Sequence, residues 1–516
     1  MRYTIFASII FLFCGSGSYA QQGFNTSIRV DGFNETELWA IEVVDSFFYT
    51  WGNVRFNTFP FEKGVLSKYT MEGDLIWDRI YGSDSLNTVA DNDESESFTV
   101  TSSGNLAITG YNTNNFQFDN TFLLVCDAEN GDVITYKTFE PDDQSIRGQT
   151  IIETEDGGFL ISAWEYLDYT TLIRTDSGGN QIWRNNYANT IGYRSQPLSM
   201  VKDQDSYSLL IGISKGWCSE DWFYEAFNLI ITIDDSGNII WEHQAPTDEL
   251  IANVNLQQFL NGDFLAAGVS IEREQLTSSL YDCDVQGYLT RISEDHDVIW
   301  DLSLGSSGNQ ILNHIYHTKL DENSNGIICG TNYFDFSPDS IQQNGWLAKV
   351  SPDGDSLWGR HIRHFPNNFL KRNFFTDFEI LTSGEILLAG LIDDDDSSSP
   401  TVGRWGWIVK TDSLGCIEPG CHLSTSVQTP SSTQEDGLLV FPNPAREVVT
   451  LQMHHAVRAQ TKIRIYNSMG QLIREEQWLN GLQQHSLNLS DCLPGIYVVV
   501  VVEADQVVHS RKIIVE

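Results

Sequence analysis

One short pattern recurs along most of this chain. It reads "YTMEGDLIW" up to Trp77, "RTDSGGNQIW" to Trp183, "IDDSGNIIW" to Trp241, "ISEDHDVIW" to Trp300 and "VSPDGDSLW" to Trp358. Two degenerate copies complete the series: "CDAENGDVITY" has Thr135 and Tyr136 where Trp stands elsewhere, and "KTDSLGCI" lacks the Trp. The turn position steps through Gly73, Gly131, Gly179, Gly237, His296, Gly354 and Gly415, at intervals of 58, 48, 58, 59, 58 and 61 residues. A period this long means one supersecondary unit used seven times, and any acceptable fold must accommodate it.

Two further signals precede the turn in every unit. An apolar strand closes on a small residue ("GNLAITG" at Gly110, "GDFLAAG" at Gly268, "GEILLAG" at Gly390), and a second strand runs into the turn ("NLIITID", "GYLTRIS", "GWLAKVS"). With the segment before the first signal and the strand begun at the Trp, each unit reads as four short strands joined by Gly-, Asp- and Asn-rich turns. A four-stranded antiparallel sheet repeated at this period predicts a propeller blade, and the fold class is all-β: a seven-bladed β-propeller over residues 21–423. The seventh unit lacks its fourth strand, while "SIRVDGF" near the chain start resembles "IWDRIYG" of the first unit. The N-terminal strand is therefore expected to complete the last blade and remove its exposed edge. The repeated Gly and Asp serve a turn requiring positive φ and a side chain that bonds its own backbone, and the Trp fills the space between blades. A catalytic group would not need so many copies.

Residues 1–20 read as a secretory signal, with Arg2, an apolar run from Ile5 to Phe13, and small Ser18 and Ala20 at the cleavage positions. No later segment approaches the roughly 18 apolar residues needed to span a bilayer, so no transmembrane segment is expected. The formal net charge of -40 excludes nucleic acid as a partner, because phosphate binding relies on clustered Lys and Arg. The acidity is read as a solubility feature of an extracellular protein.

A Ser/Thr/Pro/Gln stretch at 424–436 marks a linker, and residues 437–516 form a second domain. Alternation in "KIRIY", the apolar run at Val498 to Val502 and turns at Met469-Gly470 and Pro494-Gly495 predict a small Ig-like β-sandwich. Its strings "VFPNPAREVVTLQM", "KIRIYNSMGQLI", "LNLSDCLPGIYVV" and "RKIIVE" resemble, in order, a type A C-terminal sorting domain of the type IX secretion system of Bacteroidota. Pro442, Asn443, Pro444, Gly470, Gly495, Tyr497 and Lys512 carry that resemblance. It implies that the domain is an address, recognised by the type IX machinery, which takes the protein across the outer membrane to the cell surface or the medium.

The repeat itself resembles that of quinoprotein dehydrogenases and their non-catalytic relatives. Those enzymes have eight blades, a calcium-bound quinone and often adjacent cysteines, whereas this chain has seven units and no Cys-Cys pair, so the cofactor does not carry over. Sialidase Asp boxes also look similar, but Asp235 stands six residues before Trp241, one more than that box allows, and Asp353 adjoins Gly354.

If strands alternate in direction, the tight turns fall on one face and the long connections at 214–227, 270–287, 331–345 and 393–406 on the other, where a ligand is expected. Trp217, Asp221, Trp222 and Tyr224 combine rings and acids suited to a sugar or peptide. Cys218 and Cys283 occupy equivalent loops of adjacent units, and Cys416 and Cys421 stand at the end of the ring; export permits both pairs to be disulfides. Cys126 and Cys329 fall in apolar strands and read as buried thiols. Calcium has one candidate, "DENSNG" at 321–326, but Asn332 stands where a bidentate Glu belongs and the string coincides with an ordinary hairpin turn. His314/His317 and His361/His364 lie three apart in predicted strands, on opposite faces, so no metal site is expected. The functional expectation is an exported, non-enzymatic binding or scaffold protein for an extracellular glycan, peptide or surface protein, needing no cofactor; the alternative is a secreted hydrolase or lyase.

Overall fold

The computed structural model describes residues 23–421 and 439–515 apart from short segments, the longest being 216–224. The chain divides into two compact units, Met1–Leu423 and Ser424–Glu516. The expected signal at 1–20 and the expected linker at 424–436 lie outside the described residues.

The first unit is a succession of antiparallel meanders. Four-stranded sheets run from Ile146–Glu153 to Gln181–Tyr187, from Arg194–Lys202 to Ile239–Gln244, from Leu250–Gln258 to Val298–Leu304, and from Asn313–Leu320 to Ser356–Ile362. Ahead of them, the meander from Glu35–Val44 to Leu75–Tyr81 and the one from Phe98–Val100 to Val133–Phe139 are joined through Leu86–Val89. A single parallel bridge, Lys63 to Thr88, makes the two one nine-stranded sheet. The final sheet takes Lys371–Ile380, Ile386–Asp394 and Gly403–Thr411, and its fourth strand is Phe24–Ile28 from the chain start. That strand pairs antiparallel with Gly403–Thr411, from Phe24 opposite Lys410 to Ile28 opposite Gly406.

The last sheet packs on the first. Thr376 Oγ1 donates to Leu38 O at 3.0 Å, Ile41 N donates to Asp377 Oδ2 at 2.9 Å, and Leu38, Ile41, Phe48, Leu387, Ala389 and Ile408 share one buried cluster. Successive four-stranded meanders, each packed on its neighbour and the last on the first, make a β-propeller.

The recurrent Gly and Trp meet across several of the seams. The Trp77 ring lies against the turn of the next sheet, 3.1 Å from where a Cβ on Gly131 would stand, and its Nε1 donates to Glu129 O at 3.0 Å. Trp183 repeats this with Gly237 and Asp235 O, and Trp300 with Gly354 and Pro352 O. Where the ring closes, Phe24 of the N-terminal strand takes the place of the Trp and lies 3.1 Å from a Cβ on Gly73. The opening pattern thus has two halves: the Trp of one sheet is received by the Gly of the next. These indoles are half-buried wedges, not fully enclosed as a core aromatic would be. In the "DDSGN" turn, Asp234 Oδ1 accepts from Ser236 N at 2.9 Å and Asn238 N at 2.8 Å, and Gly237 holds φ of 80°.

The second unit packs a three-stranded sheet (Leu439–Phe441, Val448–Gln452, Gln484–Asn488) and a four-stranded sheet (Leu472–Gln477, Lys462–Asn467, Gly495–Glu503, Gln506–Val515) around one core. Val449, Leu451 and Leu487 from one sheet and Ile463, Ile465, Val499, Val501 and Ile513 from the other fill it, together with the buried Trp478. Ile463 and Ile465 share the buried face, as their alternation requires.

Candidate functional site

The first strand of each meander faces the centre, and most of these strands carry a bulge at the same place. The register slips between Leu38 and Ala40, Gly148 and Thr150, Pro197 and Ser199, Asn253 and Asn255, Ile315 and His317, and Phe375 and Asp377. A bulge adds one residue and re-aims those after it. Four of the residues that follow it, Ser199, Asn255, His317 and Asp377, are polar, buried and linked from strand to strand.

Asn255 Nδ2 donates to Glu96 Oε1 at 2.6 Å and meets His317 Nδ1 at 3.1 Å. An amide nitrogen only donates, so His317 Nδ1 accepts and the imidazole is neutral with its proton on Nε2, which lies 3.4 Å from Asp377 Oδ1. Asp377 also accepts from Ile41 N and Phe378 N, and Glu96 from Ser199 Oγ and Met200 N. Two positions beyond the bulge, Lys319 Nζ lies 2.5 Å from Glu379 Oε1 and 4.0 Å from Asp377 Oδ1.

Burial dominates the proton affinities of this belt. It pushes the carboxyls of Glu96 and Asp377 up to about 7, against the hydrogen bonds to Glu96 and the Lys319 charge beside Asp377. Glu42 is raised well above the usual carboxylate range, by burial first and then by Glu379. Burial, with Lys319 second, holds His317 well below the usual imidazole value. Burial would lower Lys319 too, but Glu379, Asp377 and Glu42 keep it raised. A cavity of about 470 Å³ opens beside the belt, towards the tight-turn ends of these strands, lined by Glu42, Glu96, Met200, Gln257, Lys319 and Asp377.

A smaller cavity of about 190 Å³ lies towards the other ends of the central strands. Trp39, Tyr316 and Phe374 give it aromatic walls, and Leu391, Asp393 and Arg404 line the side nearest the long connections. Arg404 Nη1 lies 2.6 Å from Glu37 Oε1 and its Nε 3.7 Å from Asp393 Oδ2, which Arg372 Nη2 also contacts at 2.9 Å.

Trp217, Asp221, Trp222, Tyr224 and Cys218 lie outside the described residues, as does the side chain of Cys283 in its strand. Cys416 and Cys421 are disulfide-bonded, and Cys126 and Cys329 are buried free thiols. Asp321, first residue of the "DENSNG" string, is occupied otherwise: Oδ1 accepts from the amides of Asn323 and Asn325, and Lys349 Nζ lies 2.6 Å from Oδ2. Among the described residues no group of three or more His, Cys, Asp or Glu side chains is placed to hold a metal ion. His314 and His317 do not follow the simple alternation of a regular strand, because a bulge lies between Ile315 and His317. The two imidazoles nevertheless differ in surroundings: His317 joins the belt, whereas His314 packs 4.4 Å from the Tyr316 ring.

In the second unit, Pro442, Asn443, Pro444 and Gly470 lie outside the described residues, Gly495 opens a strand, Tyr497 is buried in the core and Lys512 is exposed on the last strand. Residues 439–516 match the family described as Secretion system C-terminal sorting domain. This segment is a type IX sorting domain, and it marks the protein for export to the cell surface or secretion. The tail implies interaction with the secretion machinery. Among the described residues no helix is long and apolar enough to cross a membrane.

Three solved structures are similar in part. The β-propeller domain of the Trilobed protease from Pyrococcus furiosus, described as having an open velcro topology, is 10% identical over 74% of this chain and 96% of its own, with a TM-score of 0.41. A protein of unknown function from Dyadobacter fermentans DSM 18053 is 11% identical over 64% of this chain and 100% of its own, with a TM-score of 0.37. An exo-1,5-alpha-L-arabinanase from a bovine ruminal metagenomic library is 9% identical over 54% and 100%, with a TM-score of 0.28. No curated protein matches the chain.

Proposed function

We propose that this protein is an exported binding module: a seven-bladed ring closed by its N-terminal strand, followed by an Ig-like sorting sandwich, that holds an extracellular glycan, peptide or surface protein without transforming it. The observation that carries this reading is the occupation of the belt groups. Both His317 nitrogens have partners, and Asp377 and Glu96 accept from backbone amides of neighbouring strands. A general acid or base needs an atom within reach of the reacting proton. These groups instead tie sheet to sheet, and they act as the keystone of the ring.

The alternative, a hydrolase or lyase, draws support from the cavity beside the belt, which Glu42 and Lys319 line together with Glu96 and Asp377, whose carboxyls burial pushes up to about 7. Screening the full-length secreted protein on glycan and peptide arrays, with mass analysis of bound material, separates the two. Binding with intact ligand supports the module. Turnover abolished by Glu42→Gln or Glu96→Gln overturns it.

A further inference from the structure

Resting on that reading, we propose that the pocket walled by Trp39, Tyr316 and Phe374 is the ligand site, and that it takes one neutral sugar ring. Its volume of about 190 Å³ corresponds to about six water molecules at 30 Å³ each, which suits a pyranose and is too small for a folded peptide segment.

The walls and the polar side demand different things of a ligand, and a sugar satisfies both. Aromatic faces carry negative charge at the ring, so they favour the weakly positive C–H face of a saturated ring lying against them. Tyr316 and Phe374 are half-buried and present such surface, while Trp39 is fixed, 4% exposed, in the cluster it shares with Leu391. The polar side that lines the pocket is one ion pair, Asp393 with Arg404, backed by buried Glu37 with Arg55 and by Arg372. Arg404 lies between Glu37 and Asp393, and Asp393 between Arg404 and Arg372.

Among the described residues, Arg404 Nη2 has no protein partner, which leaves planar N–H donors beside a carboxylate acceptor. Adjacent hydroxyls, each donor and acceptor at once, match that arrangement. A cationic ligand would meet Arg404, and an anionic one Asp393; either would be brought out of water against a like charge. A wholly apolar ligand would strip water from the ion pairs without replacing it. The selection therefore falls on an uncharged polyol with one apolar face.

The test uses the full-length secreted protein and the methyl glycosides of glucose, galactose and mannose, followed by tryptophan fluorescence and calorimetry. Methyl glucuronide and glucosamine serve as charged probes. At least one neutral glycoside is expected to bind one-to-one in the millimolar range or tighter, with both charged probes at least about tenfold weaker. Tyr316→Ala, at a half-buried site beside His314, is expected to weaken binding about tenfold while the variant remains folded with a lowered melting temperature. Trp39→Phe keeps the core filled and is expected to remove most of the fluorescence response. Saturable neutral-glycoside binding that survives both substitutions, equal binding of the charged probes, or no binding of any neutral glycoside would overturn the assignment. If the arrays find an intact ligand that ignores both substitutions, the site is wrong and the binding reading stands; turnover would remove the latter.

Discussion

The indole of Trp300 donates from Nε1 to Pro352 O at 2.8 Å while its ring occupies the space, 3.0 Å away, where a Cβ on Gly354 would stand. The hydrogen bond and the missing side chain are parts of one inter-sheet joint. Gly354→Ala therefore acquires two costs: about 1 kcal/mol for a Cβ at φ of 89°, and a similar or larger overpacking term against the ring. Gly104, with φ of 79° and nothing within 4 Å of its Cβ position, isolates the first. Urea unfolding should rank Gly354→Ala clearly below Gly104→Ala. Equal losses would mean that the seam does not need the empty space.

Trp300→Ala removes a half-buried wedge and its hydrogen bond. The expected loss is about 2 kcal/mol, less than the roughly 3 to 5 kcal/mol for a fully buried aromatic. Calorimetric unfolding checks it, and an unchanged melting curve would contradict the packing role of the recurrent Trp.

Asn25, on the N-terminal strand, accepts from Trp407 Nε1 at 2.7 Å and donates to Arg363 O at 2.8 Å. Asn25→Ala leaves the buried Trp407 donor without that acceptor, at an expected cost of about 1 to 3 kcal/mol. Asn25→Asp keeps an acceptor for the indole but sets a carboxylate oxygen against Arg363 O, so it should destabilise as well. Unchanged thermal melting of Asn25→Ala would contradict the described pairing.

The belt predicts a pH dependence with a definite sign. Asp377 titrates near 7 in the fold and near 3.9 unfolded, so between those values the folded state holds more protons. Its contribution to stability is fully present below about pH 4 and is lost as pH rises through about 7. Asn cannot titrate, so the stability of Asp377→Asn relative to wild type should rise by about 2 kcal/mol from pH 5 to pH 8. A difference that stays flat, or falls, would contradict the buried proton.

The disulfide between Cys416 and Cys421 closes a short loop after the last strand of the ring. Chain-entropy reasoning gives about 2 kcal/mol for so small a loop. Cys416→Ser with Cys421→Ser should lower the melting temperature of the first unit, and a reducing agent should do the same to wild type but not to the double variant. Insensitivity of wild type to reduction would contradict this.

Much of the architecture was legible because it is written repeatedly. The spacing from Gly73 to Gly415 gave the sheets, and the likeness of the chain start to the first outer strand gave the partner of Gly403–Thr411, although the paired stretch is Phe24–Ile28 and begins earlier than the resembling string. The central belt was not legible, for a physical reason. Ser199, Asn255, His317 and Asp377 occupy one structural position but share no chemistry, and the bulge before each breaks the alternation by which facing is read. One signal was available: Asp377 stands between Phe375 and Phe378 in an otherwise buried strand, where an acid requires partners. Trp39, Tyr316 and Phe374 come from three separate units, so no window of sequence contains the pocket they form. The recurrent Trp fills the space between sheets, as its spacing predicts, but stays half-buried because the outermost strands lie at the rim.

Closure of the ring rests on the chain's start being the fourth strand of its last sheet. Hydrogen exchange of the intact protein tests this on residues 23–33. The amides of 24–28 that face Gly403–Thr411, every other one in this edge strand, are expected to be protected and to lose protection in urea together with 403–411. Exchange of every amide of 24–28 within seconds, while 403–411 stays protected, would show an open ring.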